Sequence, residues 1–177
     1  RRQFPVDGSF ITKFTDLDRC FLISRLGLDN GKELVLINVH LSAYDQGGTI
    51  RAQQLALLNQ VLIQEREQGN YVIAGGDFNH DIAGTLDFFP SQQQVPDWIF
   101  AMNTADLAEG YHFVRADNAD ETATCRGADI PFEAGVTYQA IVDGFLVSDN
   151  LAATAENIQN DYRYSDHNPV VLKFRMN

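Results

Sequence analysis

Cysteine is scarce in this chain. Its two copies, Cys20 and Cys125, stand far apart and at no CxxC spacing. That excludes a zinc ribbon or a dithiol redox motif and leaves two buried reduced thiols as the default, with one bridge open to an exported protein. No run of about 18 apolar residues occurs, so no membrane-spanning helix is encoded. The opening Arg1-Arg2-Gln3-Phe4-Pro5 has neither an initiator Met nor an apolar signal core, so a cut end is expected there. Localisation is therefore open: the segment reads as soluble, and export or membrane anchoring is undecided. Basic residues are also few, 13 Lys and Arg against 24 Asp and Glu, for a net charge of -11. Such a surface repels long polyanions and disfavours a tight non-specific nucleic-acid binder, while leaving room for a local site.

What is present suffices for one domain with a substantial core: 177 residues, 45% of them hydrophobic. Residues 20–26 and 33–41 are β-rich and flank Asn30-Gly31, a pair suited to positive φ, which predicts an antiparallel hairpin. In the second run Val35, Ile37, Val39 and Leu41 form a wholly apolar face, and Leu34, Leu36, Asn38 and His40 the other. From Thr49 to Gln68 the apolar period becomes helical and Gly69-Asn70 ends it. Tyr71 to Ala74 is a short strand that Gly75-Gly76 should stop. Strand, helix, strand with short links implies a crossover packed on a sheet. Residues 80–135, rich in Asp, Gln, Pro and Gly, predict long loops and short helices. Strands return at 140–147 and from Pro169 to Phe174.

Four polar clusters fall at strand ends. Asp77 and Asn79, in Gly75-Gly76-Asp77-Phe78-Asn79, share a direction if the backbone is extended and can converge on one phosphate or metal. An Asx turn is the plainer alternative. Asp166 and His167, before Pro169, combine a carboxylate suited to a hard cation with an imidazole suited to proton transfer. A capped turn would explain them equally well. Asp143 lies in an apolar strand and needs a partner; His167 is the natural one, and a structural ion pair the alternative. Asn38 and His40 share a polar strand face, with Arg51 and Gln54 of the next helix expected to be structural.

Along the chain these residues read NVHL, an R-x-x-Q helix, GDFN, an Asp-bearing apolar strand and SDHNP. The set resembles the C-terminal motifs of the endonuclease/exonuclease/phosphatase superfamily, the deoxyribonuclease I-like fold, from residue 20 onward. The resemblance implies an α/β (α+β) fold: residues 1–177 as one domain, forming half or most of a four-layer α/β/β/α sandwich with mainly antiparallel sheet. It implies a phosphoric ester hydrolase using Mg²⁺, with Mn²⁺ or Ca²⁺ as substitutes. Asp77 would orient or deprotonate the attacking water and stand at the metal. Asn79 would hold a phosphate oxygen, and Asp166 would lie on the metal side. His167 would act as general base or stabilise the pentacovalent phosphate, with Asp143 polarising it. His40 would contact the scissile phosphate or the leaving group.

The family's N-terminal half normally adds an Asn and a metal-binding Glu, and the only acids before residue 20 are Asp7, Asp16 and Asp18. The expectation is a C-terminal portion with an incomplete site, little hydrolysis alone, and an exposed inner face covered by the missing half or by self-association. Substrates in the family include nucleic acid, phospholipid and small phosphodiesters; residues Trp98, Tyr111 and Arg126 sit in the stretch where selectivity would lie. The alternative is a non-catalytic binding or scaffold module. A zinc hydrolase using His40, His80, His112 and His167 lacks the HxxxH or HxH spacing it needs, and His80 and His112 read as loop residues.

Overall fold

The computed structural model describes residues 1–4 and 19–177; Asp7, Asp16 and Asp18 lie outside them. Strands β1 (Arg2–Gln3), β2 (Cys20–Gly27), β3 (Glu33–His40), β4 (Tyr71–Asp77), β5 (Tyr111–Phe113) and β8 (Asp143–Ser148) form a six-stranded sheet in the order β1-β2-β3-β4-β8-β5. Between β5 and β8, short strands β6 (Cys125–Arg126) and β7 (Gln139–Ala140) pair with each other. Strands β9 (Leu151–Asn157) and β10 (Val170–Met176) form a separate antiparallel ladder. One long helix, α1 (Thr49–Glu67), links β3 to β4.

The β2–β3 hairpin forms as expected, with Gly31 at φ 77 in its turn. Among the described strands β3 and β4 alone pair in parallel, joined by α1, because a helix crossover returns the chain in the same direction. The apolar face of β3 (Val35, Ile37, Val39) and Leu41 is buried with Leu55, Leu58, Val61 and Leu62 of α1. At roughly 1.5–3 kcal/mol per fully buried aliphatic side chain, this contact dominates the stability of that half of the sheet. The opposite face packs Leu34, Ile73 and Val147 against Leu151 and Leu172 of the β9–β10 ladder. Helix, sheet and second sheet thus make a mixed, mainly antiparallel α/β architecture. The coverage stops short at β2 and at the end of β10, where Leu22, Leu26, Phe174 and Met176 remain 40–50% exposed.

Gly75-Gly76 does not stop β4, which runs on to Asp77. The glycines permit close approach instead. A Cβ on Gly75 would meet the Phe145 ring at 2.6 Å, and one on Gly76, at φ 145, would meet the Val39 carbonyl oxygen at 2.0 Å. The extra residues carry Asp77 to the rim of the sheet. The strand expected over 140–147 is likewise divided into β7 and β8, so Asp143 opens β8 rather than sitting within a strand. The stretch 80–135 is mostly loop, with short 3-10 turns at Leu86–Phe88 and Thr104–Asp106. No helix among the described residues is long and apolar enough to cross a membrane.

Candidate active site

Register does most of the assembly. His40 stands opposite Asp77 in the parallel β3–β4 pair, and Asp77 stands opposite Asp143 in the antiparallel β4–β8 pair. Three polar side chains therefore lie in one row at one rim, where an apolar β-sheet ends. The fourth comes from the loop before β10: His167 forms an isolated bridge with Cys125 and its Nδ1 lies 2.7 Å from Asp143 Oδ2. Asp77, Asp143 and His167 present ligand atoms within 4.8 Å of one another. Beside them an open cavity of about 210 Å³ is lined by Gly76, Asp143, Gly144, Asn168 and Pro169.

The electrostatics follow from burial and from the two facing carboxylates. Burial first, and then the charge of Asp143, pushes the Asp77 carboxyl up to about 6. The hydrogen bond with Asp143, and next that with the Cys125 thiol, holds the His167 imidazole well above its ordinary value. His40 Nε2 lies 3.3 Å from Asp77 Oδ2, yet burial and then the charges of Arg19 and His167 lower its pKa. Two opposed carboxylates form a site short of positive charge, and the oxygen donors they offer are those a hard divalent cation takes. Mg²⁺ is commonly held by one or two carboxylates completed by water and a substrate phosphate, so Asp77 and Asp143 fit such an ion. His167 fits less directly, since its Nδ1 is engaged by Asp143.

Two expected residues stand differently. The backbone at Asn79 is left-handed (φ 49), not extended, so Asp77 and Asn79 do not share a direction by strand alternation. The Asx turn is what forms: Asn79 N–H donates to Asp77 Oδ1 at 2.7 Å, and Asn79 Nδ2 donates to the Leu41 carbonyl at 2.9 Å. Asn79 is nearly buried and ties the ends of β3 and β4 together beside the acids. Asp166 does not join the carboxylate–imidazole group among the described residues. Its carbonyl accepts from Arg126 N–H at 3.0 Å, and its carboxylate lies 3.4 Å from Ser165 Oγ.

Arg51 and Gln54 are fully buried and structural, as expected. Gln54 brackets Ser42 through its N–H (2.9 Å) and Oγ (2.8 Å). His80 is buried, with Nδ1 2.9 Å from the Phe78 carbonyl and its ring edge-on to Phe100. His112 lies in β5 rather than a loop. Both cysteines are free and half-buried, less enclosed than expected.

Sequence reasoning passed over Arg19 and Thr124. Arg19 directly precedes β2, and its charge acts on both Asp77 and His40. The hairpin register, which pairs β2 with β3, was the available signal. Thr124 Oγ1 accepts from the N–H of Val142 (3.0 Å) and of Asp143 (3.1 Å), while its carbonyl accepts from Asn168 N–H at 2.7 Å. One buried threonine thus positions the acid and the loop that carries His167. No local sequence pattern marks it.

No family model matches the chain, and no curated protein matches it. Solved structures do. D. rerio TDP2, complexed with single strand DNA product, aligns over 93% of this chain and 64% of its own at 19% identity, with a TM-score of 0.55. ANGEL2, described as a 2',3'-cyclic phosphatase in complex with adenosine-2',3'-vanadate, aligns over 99% and 65% at 16% identity, with a TM-score of 0.56. The chain has the deoxyribonuclease I-like fold of these structures. The human Nocturnin catalytic domain with bound sulfate anion shares this fold over 90% of this chain and 54% of its own, at 19% identity and a TM-score of 0.51. The chain thus spans less than two thirds of the length of these superfamily structures.

Proposed function

We propose that this chain belongs to a divalent-metal-dependent phosphoesterase of the phosphodiesterase or nuclease type, with the rim of β3, β4 and β8 as its catalytic centre. The observation that carries the reading is the row His40–Asp77–Asp143 closed by the His167–Asp143 hydrogen bond. A scaffold with this fold has no need to oppose two carboxylates on neighbouring strands, an arrangement that costs stability. The D. rerio TDP2 complex with single strand DNA product supports a nucleic-acid substrate. Nothing in the row itself excludes a phospholipid or a small phosphodiester.

Phosphate esters resist water because attack meets negative charge. Asp77 and Asp143 would hold an Mg²⁺, Mn²⁺ or Ca²⁺ ion, which would neutralise charge on the phosphate. Asp77 orients the attacking water by accepting its hydrogen. The water oxygen forms the new P–O bond, the ester P–O bond breaks, and its electron pair leaves with the alcohol oxygen. Asp143 fixes the ring orientation and tautomer of His167, which serves the reacting phosphate as a proton acceptor or as a donor to its oxygens. His40 takes the leaving-group side. Asn79, its amide spent on the Leu41 carbonyl, braces the turn that carries Asp77, and Asp166, outside the carboxylate–imidazole group, leaves the metal to Asp77 and Asp143.

The described residues give that ion two carboxylates, whereas the family resemblance adds a Glu and an Asn from a preceding half. These 177 residues alone are therefore expected to hydrolyse little. The uncovered apolar side chains Leu22, Leu26, Phe174 and Met176 suit contact with more of the same protein or with a second copy. The test is hydrolysis of bis(4-nitrophenyl) phosphate by the full natural protein with Mg²⁺, then with EDTA. Turnover that EDTA abolishes and Mg²⁺ restores supports the reading; turnover unaffected by EDTA, or none in the full protein, contradicts it.

A further inference from the structure

One aromatic side chain in the loop after β3 is not explained by the core, and it leans on a second that is only partly so: Trp98 packs one side against the Ile99–Tyr138 cluster. Tyr44, in the loop leaving β3, is 81% exposed, and its backbone is left-handed at φ 57. A bulky residue adopts that conformation only where its surroundings impose it, and such positions cluster at ligand sites. Its ring meets that of half-buried Trp98 at 5.2 Å and 59°. Tyr111 shows the contrast: it is buried, with its hydroxyl donating to the Leu62 carbonyl at 2.7 Å, and belongs to the core.

The Tyr44–Trp98 pair is fastened to the acid rim by one guanidinium. Arg51 Nη2 donates to the Trp98 carbonyl at 2.6 Å and to the carbonyl of Asp45, the residue after Tyr44, at 3.1 Å. Its Nη1 donates to the Asn79 carbonyl, and Asn79 N–H is held by Asp77. The Phe100 ring lies 4.9 Å from the guanidinium carbon, and any Cβ at Gly48 would meet that ring at 2.6 Å. Exposed Tyr44 and half-buried Trp98 therefore stand on a base shared with the turn that carries Asp77.

We propose that Tyr44 and Trp98 form a stacking platform for the nucleobase of a nucleotide phosphoester whose phosphate sits at the Asp77–Asp143–His167 rim. This rests on the phosphoesterase reading and names its substrate class. Every nucleobase has a π-face, so an exposed ring backed by a second aromatic near a phosphate site gains affinity without reading sequence. A quaternary ammonium is the other group aromatics attract. Phosphocholine is therefore the competing ligand that the test below includes. The net charge of -11 favours a short nucleotide over a long duplex.

Trp98 is the single tryptophan of the chain, so its fluorescence reports the platform directly. Adenosine, AMP, ribose 5-phosphate and phosphocholine are titrated in Mg²⁺ against the wild type, Tyr44→Ala and Asp77→Asn, with calorimetry for ribose 5-phosphate. Adenosine and AMP should quench Trp98, and Tyr44→Ala should weaken both by roughly 5–150-fold, the range for one lost base stack. Tyr44→Phe, which keeps the ring, should restore them. Ribose 5-phosphate should bind Tyr44→Ala and wild type alike and be weakened by Asp77→Asn. Equal adenosine binding by wild type and Tyr44→Ala, AMP binding no tighter than ribose 5-phosphate, or stronger quenching by phosphocholine overturns the platform. If adenosine still quenches but ribose 5-phosphate does not bind, the platform stands and the phosphate reading of the rim fails.

Discussion

Asp77 and Asp143 face each other directly across the antiparallel β4–β8 pair, at the end of one strand and the start of the other. Like charges so placed are destabilising by about 0.2–1 kcal/mol, and no lysine or arginine forms an ion pair with either among the described residues. Asp77→Asn keeps an acceptor for Asn79 N–H and removes one of the two charges. At pH 8 in EDTA it should raise the thermal midpoint by about 1–4 °C, read by scanning calorimetry. A lower midpoint would mean that the opposed carboxylates are not a source of strain.

His167 is held by Asp143 at 2.7 Å and is about one third exposed. Its removal should therefore harm turnover far more than folding. In the full natural protein, His167→Ala should lose about 10²–10⁴-fold in kcat, the usual worth of a positioned acid or base, with little change in the thermal midpoint. Asp143→Asn should lose activity too, and should shift the pH profile, because the imidazole loses the group that fixes its tautomer. Unchanged turnover in His167→Ala would remove it from the mechanism.

Arg51 predicts a purely structural loss. It is fully buried and serves three backbone carbonyls, of Asp45, Asn79 and Trp98. Arg51→Met retains much of the volume and leaves those carbonyls and the Asp45 carboxylate short of donors. Urea denaturation should show a loss of about 3–5 kcal/mol, the cost of breaking a buried charged network. A loss below about 1 kcal/mol, the scale of an exposed pair, would contradict the burial argument.

Much of this was legible in the sequence, where pattern and chemistry agreed. Val35, Ile37, Val39 and Leu41 alternate in phase, and the structure buries all four. Asn30-Gly31 marks its hairpin turn, and Gly69, at φ 72, follows the helix end. The pairing of Asp143 with His167 followed from the cost of an unpartnered buried carboxylate, and the two are bonded. What was illegible depends on contacts distant in sequence. Gly75 and Gly76 read as a strand stop because their reason for being glycine is the close passage of Phe145 and Val39. The direction of Asn79 could not be read from spacing, since its left-handed backbone is set by bonds to Asp77 and to the Leu41 carbonyl. Thr124 and Arg51 act through backbone groups of other elements, which leave no local pattern.

Glu65 gives a pH prediction away from the rim. Burial would raise its carboxyl, yet hydrogen bonds from Arg25 and Asn70, with the Arg25 charge, outweigh it and hold the group below its usual range. Arg25 Nη1 reaches Glu65 at 3.1 Å and Glu33 at 2.6 Å, and Asn70 Nδ2 reaches Glu65 at 2.8 Å. A depressed carboxyl stabilises the fold in full above its unfolded value, and that contribution is lost as pH falls through the folded one. Thermal midpoints from about pH 2 to 6 should fall on the acid side, and Glu65→Gln should flatten part of that slope while lowering the plateau near pH 7. Parallel curves for the two proteins would contradict the assignment.

The central claim is that the sheet rim gathers side chains to hold a divalent cation beside a phosphate, and a direct Mn²⁺ titration tests it. Free Mn²⁺ is followed by electron paramagnetic resonance for the wild type and for the Asp77→Asn, Asp143→Asn double variant, each confirmed folded by circular dichroism. The account predicts saturable binding by the wild type, weakened at least about tenfold in the double variant and tightened in both senses of linkage by added AMP. Identical isotherms for the two proteins would show that the cation, if bound at all, is held elsewhere, and would contradict the account.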